Sequence, residues 1–374
     1  MRVTIARDEL LTALQRVQGV VEKRNTMPSL ANVLLEAKPE GLDILATDLE
    51  LGMRGLYPAK VSEPGSVTFS ARKLYEILKE IKEPELELSV SDHSLVTIRA
   101  GRSQFKVVGL PSKDFPPLPT IEREGLIPLP GAGLLELIRK TLFAVGDNDT
   151  RYVLNGLLVT IVSSGGKPII RLVGTDGHRL AVAEQGLEAG KTADAAQDVK
   201  VIVPKKAALE IRRLLEEGGD EPMIGFTKNM LIFRKSRLVL TSRLMEGNYP
   251  NYQQVMPKES SKFISVNREE FEGALRRVSV LSRDKTYAVK LTFGSDHIKL
   301  FSSHPDLGEA TEDVPAAFGG SEFSAGFNAR YLLDVLSVMD GETLHFQMEA
   351  PLSPCLIKES DNPKFKTVVM PVKV

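Results

Sequence analysis

A hairpin-like segment that occurs three times at a fixed interval constrains this chain more than any other feature. The first copy is Val33-Leu34-Leu35-Glu36-Ala37, a Pro39-Glu40-Gly41 turn, and Leu42 to Asp48. The second is Gly156 to Thr160, Ser164-Gly165-Gly166, and Ile170 to Asp176; the third is Val289 to Phe293, Gly294-Ser295-Asp296, and Ile298 to His304. Each reads as an alternating strand, a Gly-containing turn and a second strand, the pattern of a β-hairpin. The hydroxyl residues near their ends, Thr47, Thr175 and Ser303, lie at equal intervals of 128 residues. Self-similarity at constant spacing marks a repeated architecture.

A helix precedes each hairpin. Leu10, Leu14, Val17 and Val21 recur at helical spacing in the first repeat, with Asp8 as a possible cap. Leu134, Ile138, Leu142 and Val145 do so in the second, and Phe271, Leu275 and Val278, with Asn267 as cap, in the third. Downstream, VTFSARKLYEIL (67–78), VIVPKKAALEI (201–211) and FSAGFNARYLLDVL (323–336) each read as a strand running into a helix. Further strands follow, turning at Gly101 and near Ser236. The unit is therefore helix–hairpin–strand–helix–hairpin. Proline clusters at Asp114 to Pro119 and Asn248 to Tyr252 separate the copies, predicting domains at 1–120, 121–250 and 251–374. The class is α+β, antiparallel sheets with helices on one side.

At 374 residues, two or three domains are expected from size alone. No apolar run reaches the roughly 18 residues of a membrane helix, and the start lacks the apolar core of a signal peptide. A single cysteine, Cys355, excludes an intrachain disulfide and a Cys-based zinc cage, and a reducing, cytosolic setting is the default. Charge is nearly balanced, with 48 Lys+Arg against 49 Asp+Glu. Tight, sequence-independent DNA binding draws on many cations released onto phosphates, so any such role rests on how charge is distributed. The distribution is uneven. Basic residues recur on the first helices (Arg16, Lys23 and Arg24; Arg139 and Lys140; Arg276, Arg277, Arg283 and Lys285). They also open the later ones (Arg72-Lys73; Lys205-Lys206; Arg330), and Arg212-Arg213 follow in the middle repeat.

An enzyme reading fares poorly. Asp176 and His178 could be drawn as an acid–base pair, but no nucleophile elbow, P-loop, dinucleotide fingerprint, zinc-protease motif or EF-hand accompanies them. The five histidines show no ligand spacing. No helix-turn-helix signal supports a transcription regulator.

The ordered segments TDLE (47–50), SARK (70–73), AGRSQF (100–105), RYVLNG (151–156), TDGHRLAV (175–182), VIVPKK (201–206), GFNARYLLDVL (326–336) and VVMPV (368–372) resemble the bacterial DNA polymerase III beta subunit along the whole chain. The resemblance implies three tandem DNA-clamp domains, sheets outside and two helices per domain facing a central hole, in a ring-shaped head-to-tail homodimer. It implies a non-catalytic processivity factor without cofactor or metal, encircling double-stranded DNA. Its implied partners are the DNA polymerase III alpha subunit, the clamp loader, other polymerases and repair proteins, which dock through short linear motifs; no membrane is involved. The implied location is cytoplasmic, on the nucleoid during replication.

Carried over by position, the DNA-proximal set is Arg24, Arg72, Lys73, Asn148, Tyr152, Lys205 and Lys206. Some relatives have Gln where Asn148 stands and a second aromatic where Val153 stands. The partner-peptide pocket is Leu154, Thr175, Gly177, His178, Arg179, Leu180, Pro250, Val255, Val368, Val369, Met370, Pro371 and Val372. Gln254 replaces an Arg of some relatives, and the tail Val372-Lys373-Val374 replaces the commoner Met-Arg-Leu. The dimer interface is Arg102, Gln104, Phe105 and Val107 against Val280, Leu281, Glu309, Glu312 and Asp313.

Overall fold

The computed structural model describes residues 1–21, 27–117, 125–164, 167–187, 199–258, 263–282 and 286–373. The first repeat runs β1 (Arg2–Ala6), α1 (Arg7–Val17), β2 (Asn32–Lys38), β3 (Gly41–Thr47), β4 (Leu51–Tyr57), a short β5 (Lys60–Glu63), β6 (Gly65–Ser70), α2 (Ala71–Glu80), β7 (Glu85–Val90), β8 (Leu95–Ala100) and β9 (Ser103–Val108). The second runs β10 (Ile127–Pro128), α3 (Gly131–Leu142), β11 (Gly156–Ser164), β12 (Lys167–Thr175), β13 (Arg179–Gly186), β14 (Val199–Pro204), α4 (Lys205–Glu216), β15 (Met223–Phe226), β16 (Met230–Lys235) and β17 (Leu238–Arg243). The third runs β18 (Ile264–Asn267), α5 (Arg268–Ser279), β19 (Ala288–Phe293), β20 (His297–His304), β21 (Gly308–Phe318), β22 (Phe323–Asn328), α6 (Ala329–Leu336), β23 (Thr343–Gln347), β24 (Cys355–Glu359) and β25 (Phe365–Val369).

Each repeat is thus two β-α-β-β-β halves. Every expected hairpin gains a third strand, and every first helix is preceded by a strand that the periodicity does not announce. The halves exchange their opening strands: β1 pairs with β7 and β6 with β2; β10 pairs with β15 and β14 with β11; β18 pairs with β23 and β22 with β19. By its contacts the chain forms two compact units, residues 1–132 with 209–244 and residues 133–208 with 245–374. The first unit holds sheets ordered β5-β1-β7-β8-β9 and β10-β15-β16-β17-β4-β3-β2-β6. The second holds a twelve-stranded sheet ordered β14-β11-β12-β13-β25-β24-β23-β18-β21-β20-β19-β22. Two pairings therefore join repeats, both antiparallel: β17 with β4, and β25 with β13.

The first helices bury one face at matching positions. These are Leu10, Ala13, Leu14 and Val17 in α1; Leu134, Leu137, Ile138 and Thr141 in α3; and Phe271, Ala274, Leu275 and Val278 in α5. Asn267 caps α5 as expected, accepting from the amides of Glu269 and Glu270. Asp8 does not cap α1. Ala6 occupies that position, and Asp8 lies in the first turn, where its charge suits the helix dipole.

The Thr-Asp turns after β3 and β12 are built alike. Thr47 Oγ1 donates to Leu51 O (3.0 Å) and accepts from Leu49 N (3.0 Å); Thr175 Oγ1 donates to Arg179 O (2.6 Å) and accepts from Gly177 N (3.1 Å). The residue after each Asp is left-handed, with φ +79° at Leu49 and +82° at Gly177. A Cβ on Gly177 would also lie 2.5 Å from the Arg151 guanidinium. Left-handed backbone costs an L-residue about 1–2 kcal/mol. Gly177→Ala should therefore lower stability by about that amount in urea unfolding, while Leu49→Gly should be neutral or stabilising; equal losses at both sites would contradict this account.

Candidate functional site

The pairing of β25 with β13 assembles the first surface, wholly within the second unit. Leu180 stands opposite Val368 and Arg179 opposite Val369. Leu158, Val173, Leu180, Val182, Ile202, Met245, Tyr249, Leu356 and Val368 form one buried cluster, with Val153, Tyr252 and Met256 packed half-buried against it. Beyond β25 the chain stays tied down: Met370 N donates to His178 O (2.8 Å) and Val372 N to Gly326 O (2.8 Å). The tail thus crosses from the start of β13 to the open side of β22.

Of the expected pocket residues, Leu154, Thr175, Leu180, Val368 and Val369 are buried and form floor and wall. Gly177, His178, Pro250 and Val255 are exposed at the surface, and Arg179, Met370, Pro371 and Val372 are half-buried. Arg179 is the polar centre. Its Nε donates to Asp176 (3.0 Å), its fork reaches Asp334, and its guanidinium lies over the rings of Tyr331 (4.7 Å) and Phe143 (5.5 Å). His178 stacks on Tyr331 at 5.9 Å. Burial, together with the carboxylates of Asp176 and Asp334, pushes the Tyr331 phenol above its usual range, although Arg179 opposes this. Tyr331, Phe143, Asp334, Met245 and Met256 are not expected from the sequence; Tyr331 and Asp334 lie within GFNARYLLDVL (326–336), but nothing local signals their partners. Asp176 is not free for acid–base work, because its carboxylate accepts from the amides of His178 (2.9 Å) and Arg179 (3.0 Å) as well as from the Arg179 side chain.

The second surface concerns the basic set. Arg24 lies outside the described residues. Arg72 and Lys73 are exposed at the start of α2, both paired with Glu76 (2.8 and 2.7 Å). In the second unit, Asn148 is left-handed (φ +56°) in a loop pinned by Asn155, whose side chain accepts from Asp149 N (2.8 Å) and donates to Asp149 O (2.9 Å). Arg151 clamps Asp149 and holds its carboxyl down to about 2. Tyr152 is 65% exposed beside it. Lys205 Nζ points at the carbonyls of Val145 (3.3 Å) and Gly146 (3.4 Å), just past the end of α3. Lys206 opens α4 beside it. Lys140, grouped with the basic helix residues by sequence, is only 4% exposed and bonds Glu359 (3.1 Å). Among the described residues no His, Cys, Asp and Glu cluster is placed to hold a metal.

The third surface is a pair of sheet edges. β9 pairs only with β8, leaving Arg102 and Gln104 exposed and Phe105 and Val107 half-buried on the outermost strand of its sheet. In β21, residues 308–315 pair with β20 alone, whereas residues 316–318 pair with β18. Glu309 and Asp313 are exposed there, Glu312 and Leu281 are half-buried, and Val280 is 76% exposed nearby in sequence to α5.

Comparison with known proteins matches three domains of the DNA polymerase III beta subunit to this chain: the N-terminal domain at residues 1–119, the central domain at 128–251 and the C-terminal domain at 253–373. The beta sliding clamp of Caulobacter vibrioides is 38% identical over 376 residues, and that of Escherichia coli 32% over 377, each covering all of both chains. Among solved structures, a Caulobacter crescentus beta sliding clamp superposes with TM-score 0.94 at 38% identity. A Pseudomonas aeruginosa sliding clamp bound to griselimycin superposes with TM-score 0.92 at 34% identity; both cover all of each chain. With every repeat matched and the full length covered, the chain belongs to the DNA polymerase III beta subunit family, the beta sliding clamps.

Proposed function

We infer that the chain works as a DNA sliding clamp: two copies close head to tail around duplex DNA and tether the replicative polymerase. The strand order carries this reading. In both in-chain junctions, the last strand of a repeat pairs antiparallel with the fourth strand of the repeat before it, β17 with β4 and β25 with β13. The same rule leaves two edges, β9 of the first repeat and β21 of the third. Heterologous contacts of this kind close a ring when the rotation fits. Applying the β17–β4 register, with Ser242 opposite Leu51, places Val107 opposite Gly308, Phe105 opposite Ala310 and Arg102 opposite Asp313 of the partner subunit. In this reading the domains are 1–120, 121–250 and 251–374, and the helices face the hole.

Charge supports DNA as the occupant. A helix N-terminus carries partial positive charge and favours acids nearby. α1 and α5 obey, with Asp8, Glu9, Glu269 and Glu270 in their first turns. The second helix of every repeat does the opposite: α2, α4 and α6 open with Arg72-Lys73, Lys205-Lys206 and Arg330 and carry no acid in the first turn. A local rule broken three times at equivalent places points to a function. Cations added to a helix N-terminus make a site for phosphate. Because Arg72 and Lys73 already share Glu76, each phosphate contact is weak and exchangeable. Retention then comes from encirclement.

The pocket around Arg179 takes the partners: the polymerase alpha subunit, the clamp loader, and other polymerases and repair proteins, each by a short peptide with apolar anchors. Met245, Met256 and Met370 give it walls that adapt to several sequences. The protein acts in the cytoplasm on nucleoid DNA; no helix among the described residues is long and apolar enough to cross a membrane.

The decisive experiment is topological. Once loaded, the protein should remain on nicked circular DNA through a salt wash and leave within minutes after the circle is cut. Equal retention on circular and linear DNA would overturn encirclement.

A further inference from the structure

The matched burial of the three first helices makes Arg16, Lys140 and Arg277 equivalent positions, each one residue before the last member of its buried set. At the two in-chain junctions this cation reaches into the following repeat. Arg16 forks onto Glu217 just after α4, with Nε at 3.1–3.2 Å and a terminal nitrogen at 2.7 Å. Lys140 meets Asp340 (3.3 Å) after α6 and Glu359 (3.1 Å) in β24. Arg277 stands in the third repeat. It turns instead onto β21 of its own repeat, where Nε and a terminal nitrogen hold Glu312 at 3.0 and 2.5 Å.

The residue that should receive Arg277 can be located in the first repeat. The second helices align through Leu74, Ala208 and Leu332, and again through buried Ile81, Leu215 and Met339. Two residues beyond the latter stand Glu83, Glu217 and Gly341. Glu83 is therefore the counterpart of the acid that Arg16 uses, and it has no ion-pair partner among the described residues. Arg102 on β9 also lacks one. One edge thus carries an unpaired acid and an unpaired base, while the other carries an Arg277–Glu312 pair closed on itself, with Arg277 64% exposed.

We propose that Arg277 changes partner when the ring closes: it leaves Glu312 and forks onto Glu83 of the partner subunit, while the partner subunit's Arg102 comes opposite Asp313. The intrachain pair caps the open edge, and the two intersubunit pairs latch the closed one. This rests on the head-to-tail closure inferred above and deepens it, because the register of β9 against β21 already sets Arg102 opposite Asp313, while Glu312 lies on the face turned to α5. Each closed junction gains one ion pair over the open state, with Glu312 released from its pair.

The test is a charge-swap cycle on the full-length protein, reading dimer dissociation by sedimentation over a dilution series, with circular dichroism confirming the fold of each variant. Arg277→Glu and Glu83→Arg should each weaken the dimer by about tenfold, within the coupling range of contacting residues. The double variant, which reverses the pair at both junctions of the ring, should recover to within about threefold of the unaltered protein. A double variant as weak as the two single losses combined overturns the exchange. So does recovery by Arg277→Glu with Glu312→Arg, which would show that the intrachain pair is what matters. Sedimentation of the unaltered chain reads closure by itself: a monomer at micromolar concentration overturns the head-to-tail reading, whereas a dimer without charge-swap recovery overturns only the latch.

Discussion

Replacing Lys140 by methionine should destabilise the second unit by about 3 kcal/mol, because breaking a buried ion pair leaves a charge without its partner. The side chains of Lys140 and Glu359 are 4% and 2% exposed and 3.1 Å apart, with the ammonium also 4.7 Å from the Phe365 ring centre. Glu359 keeps the amides of Asp340 (2.5 Å) and Gly341 (2.8 Å) and the Asn362 side chain (3.0 Å), so the loss belongs at the low end of what such ruptures cost. Urea unfolding with hydrogen exchange read at β24 and β25 would measure it; a change below about 1 kcal/mol would mean that the amides alone hold the carboxylate. Acid should act on the same group. Burial pushes the Glu359 carboxyl up, but the Gly341 and Asp340 amides and Lys140 pull it further down, so the folded state holds it below its ordinary value. A depressed carboxyl contributes stability above its unfolded pKa of about 4.3 and loses it as pH falls through the lower folded value. The Lys140→Met variant should show a shallower loss below about pH 4.3 than the unaltered chain.

Deleting residues 370–374 should weaken binding of partner peptides by at least about 100-fold, the cost of losing roughly 3 kcal/mol of contact. The deletion removes Met370 and Val372, whose amides fasten the tail to His178 O and Gly326 O, while β25 itself ends at Val369 and stays paired with β13. Sedimentation of the truncated chain should be unchanged, since the two edges that close the ring lie elsewhere. Peptide titration by fluorescence anisotropy gives the first number. Unchanged affinity would remove the tail from the pocket, and a truncated chain that sediments as a monomer would show that the tail serves assembly.

The first two repeats were legible in sequence because Thr47 and Thr175 close turns whose hydrogen bonds need a hydroxyl and a carboxylate at fixed places; Ser303 keeps the interval, but the third turn is held by His304 Nδ1, which accepts from Asp306 N. The fourth strand of each half was not. β4, Leu-Gly-Met-Arg-Gly-Leu-Tyr, interrupts its alternation with two glycines, and Gly55 has no side chain because Tyr57 occupies the space where a Cβ would sit. The exchange of opening strands was invisible for a different reason. Pairing β1 with β7 depends on residues 79 to 87 positions away, beyond any periodicity window. For the pocket, the sequence located the Thr-Asp-Gly-His-Arg turn and the tail, but not Tyr331 and Phe143, because a ring that stacks on a cation carries no local signature. Lys140 read as one more basic helix residue; the third repeat buries it, and helical spacing cannot report what another repeat covers.

The strand that completes each junction also sets a timetable for synthesis. Leu51 finds its partner in Ser242, so the outer edge of β4 stays unfilled while about 190 further residues are made, a delay of roughly 10–40 s at about 5–20 residues per second. β13 waits a similar span for β25. During that interval a nascent chain displays an unfilled strand edge, the template on which a neighbouring chain on the same messenger could pair out of turn. Spacing between ribosomes, rather than the stability of the finished protein, then governs how much of the product assembles correctly.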